Sequence, residues 1–342
     1  MRIKNKDIAK ALGISTTTVS LAINNKPGVS GETRRKVMQM IGEYADESMR
    51  QMEHPQTARR AVLLSIHKKS GVIINDKPFF SELIETIQQE AMHRSFILNV
   101  AHYVPGQDPD EYFRYLSSFQ VEGIILLGTE LTEKEYERYL KLGVPVVLMD
   151  ASFKNKRIAS VSIDNRDSIL REMQYAVEMG HREIGYLKSS FPITNFDSRF
   201  EGFLDGIHRW HLEDAAHPVI ELPCSMEESY QKMKEYLEHP PANFRMPTLF
   251  LSDLDYIAVG AMRAIREYGY RIPDDLSIIG YDDLNICTIC DPPLTSTKVN
   301  QLDIGILSTD LLFRMIEEKR DIAAKVYIAS ELTERSSVRK LN

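Results

Sequence analysis

From Ala61 to the end of the chain, short continuous apolar segments alternate with longer amphipathic ones. Ala61–Ile66 is followed by an amphipathic stretch at 79–94, and Phe96–Ala101 is followed by another at 110–119. Apolar residues at every position, instead of at every second one, are typical of strands that are buried on both faces. Such strands, separated by helices, predict a parallel sheet covered by helices on both sides, which is an α/β fold.

This alternation occurs in two consecutive series. The first continues with strands at 123–127 and 145–149 around a helix at 132–142. The second starts near Ser160, with strands expected at 184–187, 219–221, 248–251 and 277–281 and helices expected at 166–179, 199–211, 226–238 and 256–268. The length of 342 residues accommodates two doubly wound lobes and a further small domain. Because open parallel sheets bind ligands at the carboxyl ends of their strands, we expect a ligand cleft between the lobes.

The N-terminal segment Lys6–Ile23 has the pattern of two short helices joined by a turn. Apolar residues recur at helical spacing up to Leu12, Gly13 breaks the pattern, and Ser15 is a suitable N-cap for a second helix. Val19 lies on the inner face of that helix. This arrangement predicts a helix-turn-helix, whose second helix lies in the major groove of DNA. The alternative is a small helical hairpin with no role in nucleic-acid binding.

The distribution of charge favours the DNA-binding interpretation. Residues 1–60 contain 11 Lys and Arg against 6 Asp and Glu, a net charge of +5. The whole chain carries −7, so the remainder carries −12. A basic N-terminal segment joined to an acidic body is typical of a module that binds a polyanion.

Several motifs together resemble the lactose/galactose repressor family. They are Lys6-Asp7-Ile8-Ala9, Gly13-Ile14-Ser15-Thr16-Thr17-Thr18-Val19-Ser20, Asn24-Asn25-Lys26-Pro27, and Val29-Ser30 followed by Glu32-Thr33-Arg34. Two later motifs, Arg-x-x-Gly-Phe at 199–203 and Gly-Tyr-Asp-Asp at 280–283, extend the resemblance over nearly the whole chain.

The resemblance implies a fold and a domain organisation. A lambda-repressor-like helix-turn-helix domain is expected at 1–45, a linker at 46–60, and a periplasmic-binding-protein-like core of two lobes at 61–342. The first lobe is expected to comprise 61–160 and 293–323, and the second 161–291 and 325–342. The chain is then expected to cross between the lobes near 160–164, 289–294 and 322–328.

The resemblance also implies a function. It indicates a cytoplasmic transcriptional regulator, a repressor, that binds double-stranded operator DNA as a homodimer. A small-molecule effector in the cleft, a sugar or a related polar metabolite, is expected to control this binding without any cofactor. The main alternative is a solute-binding protein without a DNA function. The polar, basic first residues, which contain no apolar signal segment, disfavour that alternative.

Polar residues at strand ends are candidates for contact with the effector. Asp150 ends an apolar strand, Asp282 ends another, and Arg199 follows the stretch 195–198, which is expected to be a loop. Carboxylates accept hydrogen bonds from hydroxyls, and a guanidinium donates in a fixed fork, so the set suits a polar ligand. Interlobe ion pairs or helix caps are the alternative roles.

Other candidates depend on the resemblance or on position alone. Phe79 and Phe80 match family positions that stack on the ligand, although without the resemblance they are ordinary core residues of a helix. Asp255 matches the second residue of a family Asn-Asp pair. Leu254 replaces the Asn, so we expect a less hydroxylated or differently placed ligand. His67-Lys68-Lys69 ends the first strand and is a further candidate.

The expected DNA contacts lie on and near the second and third helices. Thr16 and Thr17 are expected to contact bases. Ser20, Asn24, Ser30 and Thr33 are expected to contact phosphates. Leu21 replaces the Arg or His that family members often use to contact bases, so only apolar contact with a base is expected there.

The linker departs from the family pattern. Members usually have a Pro where this chain has Asp46, and a leucine that wedges into the minor groove where this chain has Glu53. Because acidic side chains are repelled by phosphates, we expect little bending of the operator centre. Insertion of Met52 instead remains the alternative.

Catalysis has little support in the sequence. There is no nucleophile elbow, P-loop or zinc motif, so no enzymatic activity is expected. Asp282 and Asp283 are consecutive at a strand end and are expected to point in different directions, which disfavours an acid–base pair. Cys287 and Cys290 form a Cys-x-x-Cys without a second ligand pair, and ordinary thiols are expected. No apolar run approaches the roughly 20 residues of a membrane helix.

Overall fold

The computed structural model of the chain describes residues 9, 12–23, 29, 33, 36–37, 60–74 and 78–341. The chain divides into two units, residues 1–59 and residues 60–342. The expectations for Asn24, Ser30 and the linker 46–59 concern residues outside the described part.

The N-terminal unit contains helix α1 (Thr16–Ile23). Gly13 has a φ of +64°, which the glycine tolerates, and it forms the turn before the helix. The Ser15 Oγ accepts a hydrogen bond from the Thr18 N–H at 3.0 Å. Ala9, Val19 and Val37 are buried together. The predicted turn, N-cap and inward orientation of Val19 are therefore confirmed.

The second unit contains two six-stranded sheets. In chain order, the described residues form β1 Ala61–His67, β2 Ile97–Tyr103, β3 Ile124–Leu127, β4 Val146–Met149, β5 Ala159–Ile163, β6 Ile184–Ser189, β7 Val219–Leu222, β8 Leu249–Ser252, β9 Ser277–Asp282, β10 Thr295–Lys298, β11 Lys325–Ile328 and β12 Glu331–Thr333. The first sheet has the order β11-β5-β4-β3-β1-β2, and the second has the order β12-β10-β9-β8-β6-β7. All pairs are parallel except β10 with β12.

Nine helices of the second unit's described residues join these strands. They are α2 Pro78–His93, α3 Pro109–Ser117, α4 Glu133–Leu140, α5 Asn165–Glu178, α6 Thr194–Arg209, α7 Met226–Glu238, α8 Asp255–Glu267, α9 Ile286–Ile289 and α10 Gln301–Glu318. The central strands are buried along their whole length, as the continuous apolar runs predicted. The predicted α/β class and the parallel, helix-covered sheets are confirmed.

Three strands that the sequence did not predict lie near the expected crossings. β5 pairs with β4 and β11 of the first sheet, although most of it falls within 161–291, the range expected for the second lobe. β10 pairs with β9 in the second sheet, and β11 lies in the first. The expected lobe boundaries of 293–323 and 325–342 are thus wrong for these two short strands. The first has the sequence Thr-Ser-Thr-Lys, which contains no apolar residue, and the second has Lys-Val-Tyr-Ile, which begins with a lysine. Pairing with the neighbouring strands, and not periodicity, therefore decides their sheet.

Helix α6 begins earlier than the sequence indicates. The stretch 195–198, expected as a loop, forms its first turn, and the N-cap Ile193 provides no side-chain hydrogen bond. Since a polar N-cap is the usual start signal, its absence explains the error. Gly202 permits close packing of this helix on α5, because a Cβ there would lie 2.6 Å from the carbonyl oxygen of Arg166.

Candidate functional site

The carboxyl ends of the strands in the two sheets face each other across a cleft. From the first lobe come Ile73 after β1, Thr129 after β3, Asp150 after β4 and Ile163 at the end of β5. The second lobe contributes Ile193, Asn195, Phe196, Arg199, Leu254, Asp282 and Leu284. The cleft thus brings together three of the predicted effector residues, namely Asp150, Arg199 and Asp282.

Asp150 joins the two lobes. Its carboxylate accepts a hydrogen bond from the Thr129 hydroxyl at 2.6 Å within the first lobe. The Asn195 side-chain amide of the second lobe donates to the Asp150 carbonyl at 3.0 Å and lies 3.3 Å from its carboxylate. Burial raises the pKa of Asp150 to about 6, although the Thr129 hydrogen bond and Arg199 oppose the rise. Asp150 also has a φ of +59°, so its backbone is held in a strained conformation at this contact.

Arg199 is the cation of the cleft, and it is 3% exposed. Its Nε donates to the Asn165 Oδ1 at 2.8 Å, and its Nη1 donates to the carbonyl of Asp253. The guanidinium lies 3.5 Å from the centroid of the Tyr281 ring. Its Nη2 is 3.9 Å from Asp282. Arg199 is therefore fixed by the second lobe before any ligand binds.

Asp282 and Asp283 point in different directions, as expected. Asp282 faces Arg199 and lines the cleft. Asp283 instead forms an ion pair with Arg335 at 2.6 Å and accepts a hydrogen bond from the Thr333 hydroxyl at 3.1 Å. Both residues have positive φ angles, which turn successive side chains apart. The arrangement gives no pair of facing carboxyls for acid–base chemistry.

The position of Asp255 corrects the expectation that it contacts the effector. It is completely buried within the second lobe. One carboxylate oxygen accepts from the Ser296 hydroxyl at 2.6 Å, and the other accepts from the Leu284 N–H at 2.7 Å. Burial, reinforced by the nearby Asp282, raises the pKa of Asp255 to about 7. Both oxygens are used inside the lobe, so Asp255 braces the segment after β9 and does not line the cleft.

Of the other first-lobe candidates, His67 and Lys69 lie away from the cleft lining. His67 is buried, stacks on Tyr103 with ring centroids 4.6 Å apart, and has its Nδ1 3.0 Å from the Tyr139 hydroxyl. Burial lowers the pKa of His67 to about 4. Lys69 pairs with Glu135 at 3.1 Å. Phe79 and Phe80 lie in the first turn of α2, and their side chains are outside the described part of the structure.

The sequence did not single out Ile73, Thr129 or Asn195. Asn195 was placed in a predicted loop, although it is four residues before Arg199 and therefore lies on the same face of a helix. Thr129 closely follows a predicted strand, the same signal that identified Asp150. Ile73 reaches the cleft through a loop whose course no local pattern indicates.

The cleft is narrow and largely apolar. The enclosed cavity has a volume of about 50 Å³, which is enough for a few water molecules. A sugar-sized ligand therefore requires the lobes or their side chains to move apart.

The DNA-binding candidates that the structure describes lie on or near α1. Thr16 and Thr17 are exposed at its N-terminus, and Leu21 is partly exposed one turn later. Ser20 lies in the same helix, and Thr33 is partly exposed in a separate helical segment. Thr18, by contrast, shares a hydrogen bond of 2.8 Å with the Ser15 hydroxyl at the helix start.

Other chemistry finds little support. Cys287 and Cys290 are free thiols, and burial raises the pKa of both, which disfavours thiolate chemistry. Among the described residues, no group of three or more His, Cys, Asp and Glu side chains is placed to hold a metal ion. Within that same part of the chain, every helix is too short or too polar to cross a membrane.

Comparison with sequence families gives two matches. The family described as bacterial regulatory proteins, lacI family, matches residues 5–45, and a periplasmic binding protein-like domain matches residues 173–338. The transcriptional repressor PurR of Pasteurella multocida is 29% identical over 338 residues, covering 98% of both chains. PurR of Mannheimia succiniciproducens is 27% identical over 342 residues, with 98% of both chains covered.

Solved structures share the fold over nearly the whole chain. The lac repressor dimer bound to operator and the anti-inducer ONPF matches with a TM-score of 0.70 and 22% identity, covering 99% of this chain and 100% of that one. A complex of the regulator CelR with cellobiose has a TM-score of 0.70, 21% identity, and 98% and 100% coverage. A ribose-bound regulator from Enterococcus faecium has a TM-score of 0.66 and 22% identity, covering 82% of this chain and 100% of that one.

Proposed function

Because this chain belongs to the lacI family of bacterial regulatory proteins, it is a DNA-binding transcriptional regulator controlled by a small ligand, and we propose how that control operates. In this proposal the protein is a cytoplasmic repressor that binds operator DNA as a homodimer. The effector binds between the lobes at Asp150, Arg199 and Asp282, and it changes their relative orientation.

The hydrogen bond between Asp150 and Asn195 is the observation that carries this proposal. It joins the two lobes inside the cleft, and its buried groups leave little room beside them. A ligand that enters must compete with this contact or add to it. Ligand binding therefore favours one lobe arrangement over the other, as a change in DNA affinity requires.

The charges of the cleft favour a neutral or cationic effector over an anionic one. Asp150 and Asp282 supply two carboxylates, while Arg199 has donors already committed to Asn165 and to the Asp253 carbonyl. A phosphate or carboxylate group on the ligand would be repelled by these two carboxylates, and the low polarity of the site would strengthen that repulsion. The apolar lining further suits a ligand with an apolar face, such as a sugar ring, a nucleoside or an amino sugar.

On DNA, we assign base contacts to Thr16 and Thr17. Their exposure at the start of α1 supports this assignment, because small hydroxyl side chains at that place reach base edges without filling the groove. Ser20, Asn24, Ser30 and Thr33 are assigned to phosphates, and Leu21 to an apolar contact such as a thymine methyl.

Matched ligand pairs test the proposed effector class. Thermal melts of the full chain are compared with ribose and ribose 5-phosphate, adenosine and its monophosphate, and cellobiose. We expect a neutral member to raise the Tm and its phosphorylated partner to have no effect. A ligand at one hundred times its Kd stabilises the native state by about 2.7 kcal/mol, which is easily seen in a melt.

The variant Asp282→Asn tests whether the ligand that raises the Tm binds in the cleft. Loss of the carboxylate should weaken the binding of the stabilising ligand by at least about tenfold, since hydrogen bonds to charged groups contribute strongly. The control Asp274→Asn removes an exposed carboxylate of the same lobe and should bind as wild type. Equal stabilisation by a phosphorylated ligand and its neutral partner would refute the charge argument.

A further inference from the structure

One loop of the first lobe is held by a single buried carboxylate. The loop 70–74 follows β1, and Glu130 follows β3, the neighbouring strand. Glu130 is 4% exposed, and the groups that donate hydrogen bonds to its carboxylate belong to the loop. A carboxylate is costly to bury unless its oxygens are satisfied, so its partners indicate what it does.

Five hydrogen bonds connect Glu130 to the loop. Its Oε2 accepts from the Ser70 N–H at 2.6 Å, the Ser70 hydroxyl at 2.9 Å and the Gly71 N–H at 3.2 Å. Its Oε1 accepts from the N–H groups of Ile73 at 2.9 Å and Ile74 at 3.1 Å. Burial alone would raise the pKa of Glu130, but these donors lower it below its usual value. The charged carboxylate therefore fixes four backbone amides at once.

The two isoleucines of this loop are directed to different parts of the core. Ile74 packs in the cluster that contains Leu83 and Ile87 of α2. Ile73 packs with Ile193, Phe196 and Leu254 of the second lobe, and it lines the cleft. The loop that Glu130 holds thus carries an apolar side chain from one lobe across to the other.

We propose that Glu130 is a positioning residue for effector binding: it holds Ile73 across the cleft, where this side chain limits the size of the ligand. This inference rests on the proposed function, because it assumes that the effector occupies the cleft. Glu130 itself does not contact the ligand. With Ile73 held in place, a small ring is accommodated more readily than a disaccharide.

The tests use the full chain and two substitutions. Glu130→Gln keeps the shape of the side chain but leaves only one acceptor oxygen. Its NH2 group, which is itself a donor, then faces the N–H groups of either Ser70 and Gly71 or Ile73 and Ile74. Ile73→Ala removes the side chain that Glu130 positions. The matched controls are Glu137→Gln, an exposed carboxyl on α4, and Val72→Ala, the exposed neighbour in the loop.

Two measurements separate a positioning role from a merely structural one. Hydrogen exchange of the amides of 70–74 reports the hydrogen bonds between the loop and Glu130. The exchange rate should increase by about tenfold or more in Glu130→Gln. The ratio of the affinities for ribose and cellobiose, taken from thermal shifts, reports the cleft. It should move toward cellobiose in both Glu130→Gln and Ile73→Ala, and stay at the wild-type value in both controls.

Unchanged loop exchange in Glu130→Gln would overturn the proposal. Faster loop exchange in Glu130→Gln together with a wild-type ratio of ribose and cellobiose affinities would also overturn it. The same holds if neither sugar distinguishes the two variants from wild type. A ligand whose binding depends on Asp282 but not on Glu130 or Ile73 would overturn this inference alone. A ligand indifferent to Asp282 as well would refute the proposed site.

Discussion

Several carboxyl groups are buried in the cleft and in the second lobe behind it. Burial raises the pKa of Asp150 and of Asp253 to about 6, and that of Asp255 to about 7, with Arg199 opposing the rise at the first two. Each carboxyl has hydrogen-bond donors, which include Thr129 for Asp150 and Tyr186 for Asp253. Ionising these groups inside the protein is unfavourable, so near neutral pH they reduce the stability of the folded state.

This cost predicts the pH dependence of Asp150→Asn. The folded pKa of about 6 exceeds the value of an unfolded aspartate, so the folded chain binds more protons at intermediate pH. The contribution of Asp150 to stability therefore falls as the pH rises from about 4 to about 6. Since Asn does not ionise, the Tm of the variant relative to wild type should be higher at pH 8 than at pH 5. Thermal melts of the variant and the wild type at pH 5 and pH 8 test this prediction. The same Tm difference between the two proteins at both pH values would contradict it.

Among the elements, α1 and α6 differ in how well the sequence defined them. Gly13 and Ser15 are a strong turn and cap signal, and the start of α1 was predicted correctly. Helix α6 lacks a polar cap, so its first turn was taken for a loop, although Arg199 was still identified as a candidate. A strand-end position indicated Asp150 and Asp282 because that signal is local. Ile73 and Glu130 depend on a contact between separate loops, which no periodicity reveals.

The proposed DNA contacts of Thr17 and Asn24 predict distinct effects of two substitutions on DNA binding. Thr17→Ala should change which half-site sequences are selected from a random DNA library, because the side chain is assigned to a base. Asn24→Ala should weaken all sites to a similar extent, because that side chain is assigned to a phosphate. If both variants selected the wild-type sequences, the base assignment of Thr17 would be wrong.

On the scale of the whole molecule, two parallel sheets are joined by three chain crossings. The crossings follow β5, β10 and β11. The strongly apolar central strands made the two-lobed α/β architecture predictable. The short strands at the crossings were not predicted, and the ranges that contain β10 and β11 were placed in the wrong lobes, because pairing with a neighbour outweighs their own weak pattern.

In the proposed mechanism, effector binding between the lobes and DNA binding are thermodynamically linked. If the two lobe arrangements differ in DNA affinity, an effector that binds one of them better must change DNA affinity, and DNA must change effector affinity by the same factor. A solute-binding protein without a DNA function would show no such coupling.

The most direct test measures the affinity of the full chain for its selected operator, with and without the ligand that raises its Tm. The account predicts a change of about 5- to 150-fold, the range of typical allosteric coupling. In Asp282→Asn, the ligand concentration that produces half of this change should rise by at least about tenfold. An operator affinity that is identical with and without a ligand bound in the wild-type cleft would contradict the account.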